Sequence, residues 1–338
     1  MLKRTSALCM IVLLGVALTA CGGNNNSKNN NNNTATPATN ATQPAKEAVA
    51  EPDKATETET GYVPKELEVQ FVPSQNAETL EAKTKPLEKL LGDQLNIPVH
   101  VTISPDYNTI VEAMSSKQVD IGFLPPNAYV LAHDLRDAAD LLLQAQRFGV
   151  NDEDGQPTEE KVNFYKAMIL VKKDSDIKTL ADLKGKKIGW QDVTSSAGYV
   201  FPAAELKKAG VDPETDVQGV TIKGHDAAIM ALLNGQVDAV ANFQDARNIV
   251  VKDVPDVFEQ TRVLHFTAPI PNDTISVRSD MNQEWRDKIA QAFIAITEDP
   301  EGAQIVKDIY THVGYVAGDD ANFAPVRDYA EAVGQKIK

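Results

Sequence analysis

The sequence predicts an α/β protein of two related lobes, preceded by a non-globular leader. Three observations predict it. From Leu67 onward, short β-rich runs alternate with helical stretches. One helix-to-strand junction recurs at an offset of 118 positions. Residues 22 to about 63 offer almost nothing that a core could bury.

The chain has 338 residues, 42% of them hydrophobic, which is enough for one or two domains with a proper core. Its 33 Lys+Arg stand against 48 Asp+Glu, a formal charge of −15. That balance argues against a binder of nucleic acid or anionic membranes, since either needs a basic face. At first sight it also argues against an anionic ligand. Whole-chain charge says little about one cleft, however, because salt screens exposed charges beyond about 10 Å.

Residues 1–20 read as a secretory signal. Lys3 and Arg4 form a basic start, and the apolar run 8–18 is too short to span a bilayer comfortably. Leu18-Thr19-Ala20-Cys21 resembles the bacterial lipobox, which implies cleavage before Cys21 and lipid on its thiol. Cys9 leaves with the signal, so the exported chain holds no disulfide and relies on its core. Residues 21–63 pass from an Asn run into Thr, Ala, Pro and Glu. They are expected to be a disordered tether reaching roughly 35 Å r.m.s..

In the body, strand candidates 67–72, 99–103 and 119–124 alternate with helices 77–91 and 107–116. This βαβ order implies a mostly parallel sheet. The junction ending in Gln118-Val119-Asp120 returns as Gln236-Val237-Asp238. Under the same offset Tyr107 falls on His225 and Asn127 on Asp245, so the βα units recur in order. The bland alternative is that all α/β chains repeat such units.

Ligands of open α/β sheets sit beyond the carboxyl ends of the strands. Three pairs of loops meet that description: 73–76 (with Gln75) and 191–194, 105–107 and 224–225, 125–127 (with Asn127) and 244–245. Facing lobes would bring them to one cleft, as in a hinged binding protein. The crossings between lobes are expected in the extended runs 164–171 and 262–267. Helices 284–297 and 301–312 then return to the first lobe.

The sharpest local feature is Asp192-Val193-Thr194-Ser195-Ser196-Ala197-Gly198, after a strand at 187–190 and opening a helix to about position 209. Three hydroxyls and the first-turn N–H groups converge there, with the positive end of the helix dipole behind them. Small Ala197 and Gly198 would let a ligand approach the backbone. One hydroxyl would suffice for an ordinary N-cap, the competing reading. Tyr107 can donate its phenol, and His225 can donate and, when protonated, add charge. Alternatively, Tyr107 covers its own lobe and His225 is a cap or surface residue. Asp245 and Asp273 are two acids in an anion site. They suit a ligand ammonium, a proton carried by the oxyanion, or merely turns and caps.

Catalysis is not indicated. Ser195 lacks a Gly-x-Ser-x-Gly elbow. The five His lie far apart with no metal-binding spacing, so no metal and no cofactor are expected.

The chain from about 67 to 313 resembles the binding lipoproteins of phosphonate, phosphite and phosphate ABC transporters, the PhnD family. The matching stretches are Asp106-Tyr107, Gln118-Val119-Asp120-Ile121, Asp192 through Gly198, Gly224-His225-Asp226, Gln236-Val237-Asp238 and Pro271-Asn272-Asp273. The resemblance implies a two-lobed type II periplasmic-binding-protein fold, with mixed sheets, helices on both faces and a hinge. It implies that Thr194, Ser195 and Ser196 hold the phosphorus oxygens, helped by Tyr107 and His225. It also implies that acids matching Asp245 and Asp273 take the amine of aminoalkylphosphonates. There are departures from the family pattern. The family loop usually reads Ser-Thr-Ser-Gly, a second cleft Tyr is replaced by Leu124, and a Glu is replaced by Asp245. The expected organisation is lobe 1 over 64–165, lobe 2 over 166–266 and a return to lobe 1 over 267–338. The expected partners are a membrane permease and, through the lipid, the outer face of the cytoplasmic membrane, with the body a monomer. A sensory or adhesion lipoprotein on the same fold is the runner-up.

Overall fold

The computed structural model describes residues 60–153 and 155–337. The expected signal, Cys21 and nearly all of the tether lie outside them. Two mixed sheets organise the rest, one in each lobe.

The first sheet contains β1 (Leu67–Phe71), β2 (Val99–Ile103), β3 (Ile121–Leu124), β4 (Ala139–Val150), β5 (Pro157–Val162), β11 (Thr274–Arg278) and β12 (His312–Ala317). The second contains β6 (Phe164–Lys172), β7 (Lys187–Trp190), β8 (Gln218–Thr221), β9 (Ala239–Phe243) and β10 (Thr261–Pro271). Their cores repeat one pattern. The order β11-β3-β1-β2 matches β6-β9-β7-β8, with three parallel strands and one antiparallel neighbour in each.

The helices are α1 (Ala77–Leu95), α2 (Tyr107–Ser115), α3 (Pro126–Val130), α4 (Phe201–Lys208), α5 (His225–Leu233), α6 (Arg247–Val250), α7 (Val257–Gln260), α8 (Gln283–Glu298), α9 (Pro300–Tyr310) and α10 (Ala324–Ala332). Shifted by 118 positions, α2 lands on α5 residue for residue. The shared Asp has one job in both lobes. Asp120 Oδ2 accepts the Glu68 N–H at 2.9 Å, and Asp238 Oδ2 accepts that of Lys187 at 2.8 Å. Each ties the entry of one parallel strand to its neighbour.

Both faces of each sheet are covered, as the strand period of two requires. In β6, Met168 and Leu170 join one core with Ile229 and Leu232 of α5. Ile169 and Val171 join the opposite core with Leu206 of α4. Leu67, Val69 and Phe71 of β1 pack under Leu80 and Leu87 of α1 and Phe293 of α8. A further cluster crosses between the lobes and joins Ile110 and Tyr129 to Val200 and Phe201, with Val326 of α10 beside them.

The crossings differ in part from expectation. The chain leaves the first sheet after β5, at Asn163. It stays in the second sheet through Pro271, several residues beyond the expected boundary, because β10 pairs with β6 along its whole length. The two crossings touch where the Asn272 N–H donates to the Asn163 carbonyl at 2.7 Å. Asp273, the next residue, is thereby delivered to the cleft.

Candidate ligand-binding site

A cavity of about 830 Å³ lies between the lobes, beyond the carboxyl ends of the parallel strands. Ser195, Tyr107, His225, Asp245, Asp273 and Gln75 all line it.

The second lobe supplies the hydroxyl loop. A helical run starts at Ser196 as one π turn and continues into α4. Its first-turn N–H groups lack carbonyl partners within the helix. Ser195 Oγ accepts the Gly198 N–H at 3.1 Å, so this hydroxyl is an N-cap as well as a cavity wall. Thr194 and Ser196 are buried and do not line the cavity. Ser196 Oγ accepts the backbone N–H of Asn127 at 2.9 Å, and the Thr194 carbonyl accepts Asn127 Nδ2 at 3.1 Å. Asn127 is therefore a contact between lobes beside the cavity, because α3 turns its side chain into the lobe interface. Gly198 also differs from expectation. A Cβ there would meet Cβ and Cγ of Gln191 at 2.3 Å, so its smallness admits β7's exit, not a ligand. Ala197 does face the cavity.

Tyr107 and His225 open equivalent helices, which explains why both reach one space. Asp106 caps α2 through the N–H groups of Asn108 and Thr109. α5 begins behind Gly224 at φ 92°, a conformation that favours glycine. Tyr107 and Ser195, from opposite lobes, line the same cavity. Burial, ahead of the charges of Asp273 and Asp192, pushes the pKa of the Tyr107 phenol up, so it stays a neutral donor.

His225 is buried, and its backbone N–H reaches across to the Ser74 carbonyl at 2.9 Å. Its Nδ1 lies 2.8 Å from Asn242 Oδ1, which as an acceptor assigns the proton to Nδ1. Nε2 is then an acceptor. Burial lowers its pKa to about 4, so it is neutral at pH 7 and adds no charge there.

Asp273 stands among tyrosines. Burial raises the pKa of each of Tyr107, Tyr165, Tyr310 and Tyr315, and the Asp273 carboxylate adds to it. Its Oδ2 lies 3.5 Å from His312 Nε2. Asp245 is not a free acid. Arg147 of β4 donates from Nη2 to both its oxygens at 2.8 Å. Gln75 is held at both ends of its amide, donating to the Ile309 carbonyl and accepting from Lys83.

The cavity thus offers hydroxyl donors and helix N–H groups together with two acceptors, His225 Nε2 and Asp273. Among the described residues, no group of three or more His, Cys, Asp or Glu is placed to hold a metal ion. The family model described as "ABC transporter, phosphonate, periplasmic substrate-binding protein" matches residues 69–323. The chain belongs to this family.

Its similarity extends to named relatives of the family. The Phosphate-import protein PhnD of Mycolicibacterium smegmatis is 32% identical over 195 residues, 55% of this chain and 58% of that protein. The chain thus spans somewhat over half the length of that relative. The Phosphonates-binding periplasmic protein of Escherichia coli is 24% identical over 270 residues, 79% of this chain and 76% of that protein. PhnD1 from Prochlorococcus marinus, solved in complex with methylphosphonate, shares the fold at TM-score 0.69 and 17% identity. That likeness covers 81% of this chain and all of the other.

Sequence reasoning missed Arg147, Tyr165 and Tyr310. Tyr165 and Tyr310 line the cavity from β6 and α9, and the Tyr310 hydroxyl donates to the Val72 carbonyl at 2.7 Å. One signal for Arg147 was present: a full charge following the apolar and amide run Leu141–Gln146 within the strand Ala139–Val150.

Proposed function

We propose that this protein is the extracytoplasmic capture component of an ABC importer, closing on a phosphorus oxyanion (phosphate or a phosphonate) and delivering it to a membrane permease. The observation that carries the reading is the cavity between the lobes, lined by Ser195 at a helix start and by Tyr107 from the opposite lobe. The oxyanion docks on Ser195 and the first-turn N–H groups, where neutral donors and the helix dipole stabilise it without a basic chain. Closure brings Tyr107 over it. His225 Nε2 and Asp273 accept a proton carried by the ligand. A phosphate or phosphonate at neutral pH has such a proton, whereas sulfate has none to offer. Thr194, Ser196 and Asn127 hold the loop and the closed form. Cys21 is the lipid attachment, residues 21–63 are the tether, and the body acts as a monomer with no chemistry of its own.

A thermal-shift panel tests this. Phosphate, phosphite and methylphosphonate are expected to raise the melting temperature, and sulfate to leave it unchanged. A rise with sulfate equal to that with phosphate would contradict the proton-reading part. No rise with any phosphorus ligand would remove the reading altogether.

A further inference from the structure

The cleft carries a cation of its own, Arg147, paired with Asp245 in the cavity wall. Arg147 stands on β4 of the first sheet, and Asp245 follows β9 of the second. Their side chains are 7% and 12% exposed. Nη2 of Arg147 donates to both Asp245 oxygens at 2.8 Å and to Thr311 Oγ1 at 2.6 Å. The guanidinium lies 5.6 Å and 5.9 Å from the ring centroids of Tyr165 and Phe243, both of which also line the cavity. Its Nε is buried with no partner.

A ligand ammonium at Asp245 would compete with this guanidinium for both carboxylate oxygens. Displacing it would strand a buried arginine whose only carboxylate partner among the described residues is Asp245, and breaking one half of a buried pair is costly. The other acid, Asp273, lies 3.5 Å from His312 Nε2 and, in the reading above, accepts the proton of the oxyanion. Asp245 is therefore not free to receive an amine, and Asp273 is taken by the proton of the ligand.

We propose that Arg147 is a specificity-determining residue of the cleft. It fills the ammonium position opposite Asp245 from within the protein, so the site takes phosphate and short alkylphosphonates and excludes aminoalkylphosphonates. The proposal rests on the phosphorus-oxyanion reading above. The same ion pair joins the lobes, so closure needs no contribution from a ligand substituent.

Competition calorimetry with methylphosphonate and 2-aminoethylphosphonate tests it. The unmodified protein is expected to prefer methylphosphonate at least tenfold. Arg147→Met, which keeps the aliphatic stem, is expected to shift the ratio at least tenfold toward the amine. Adding Asp245→Asn to that variant is expected to cancel the shift. Equal or better binding of 2-aminoethylphosphonate by the unmodified protein overturns this proposal alone, whether or not the variants fold. Failure to bind phosphate or either phosphonate overturns the phosphorus reading and this proposal with it.

Discussion

The backbone N–H of Asn127, in the first lobe, donates to the hydroxyl of Ser196, in the second, at 2.9 Å. The side chain of the same asparagine donates to the Thr194 carbonyl and to Gln335 Oε1, while Gln335 Nε2 donates to the Val193 carbonyl at 2.7 Å. The hydroxyl loop is thus held by the opposite lobe and the C-terminal segment together. Asn127→Ala keeps the backbone contact and loses two side-chain ones. Ligand release should speed up about 5- to 30-fold, the equivalent of about 1–2 kcal/mol. Stopped-flow dissociation measures it, and an unchanged rate would show that Asn127 does not hold the closed form.

His225 gives a pH dependence with a defined sign. Burial lowers its pKa from the ordinary 6.5 to about 4. Between those values the unfolded chain binds a proton that the folded chain refuses, so stability rises with pH. The contribution is complete above pH 6.5 and is lost as pH falls toward 4, with a size of about 3 kcal/mol at most. Melting curves from pH 4 to 7 should become flatter in His225→Gln, which does not titrate. Identical slopes in the two proteins would place the titration elsewhere.

The repeated Asp predicts unequal costs from equal motifs. Asp120 is buried and also pairs with Arg278 at 3.0 Å, whereas Asp238 is exposed. Arg278→Ala strands a buried carboxylate and should cost about 3–5 kcal/mol in a denaturant titration. Asp238→Ala removes one hydrogen bond at the surface and should cost about 1 kcal/mol. Similar losses would mean that burial does not distinguish the two sites.

Much of the fold was legible because its signals are local. The period-two runs of β1 and β2, the continuous apolar run of β6 and the amphipathic α1 show in the sequence, and the 118 offset predicts that Tyr107 and His225 face one space. The strands that escaped notice, β4, β5, β11 and β12, join the first sheet through distant antiparallel pairing, which leaves no short-range mark. The site follows the same rule. Ser195 announces itself as a hydroxyl at a helix start, whereas Arg147 gains its meaning only when β4 meets the loop after β9. Asp245 looked free in sequence because its partner lies 98 positions away. Asn127 looked like a ligand contact because the offset paired it with Asp245, although α3 turns it into the lobe interface.

The central claim is that an oxyanion docks at the opening of the Ser196 helical run, with Ser195 as its hydroxyl contact. Calorimetric titration of phosphate and of methylphosphonate into the protein and into Ser195→Ala tests it most directly. The account predicts binding by the unmodified protein and a loss of about 1–3 kcal/mol in the variant, for a hydrogen bond to a charged group. Unchanged affinity in a folded Ser195→Ala protein would contradict it.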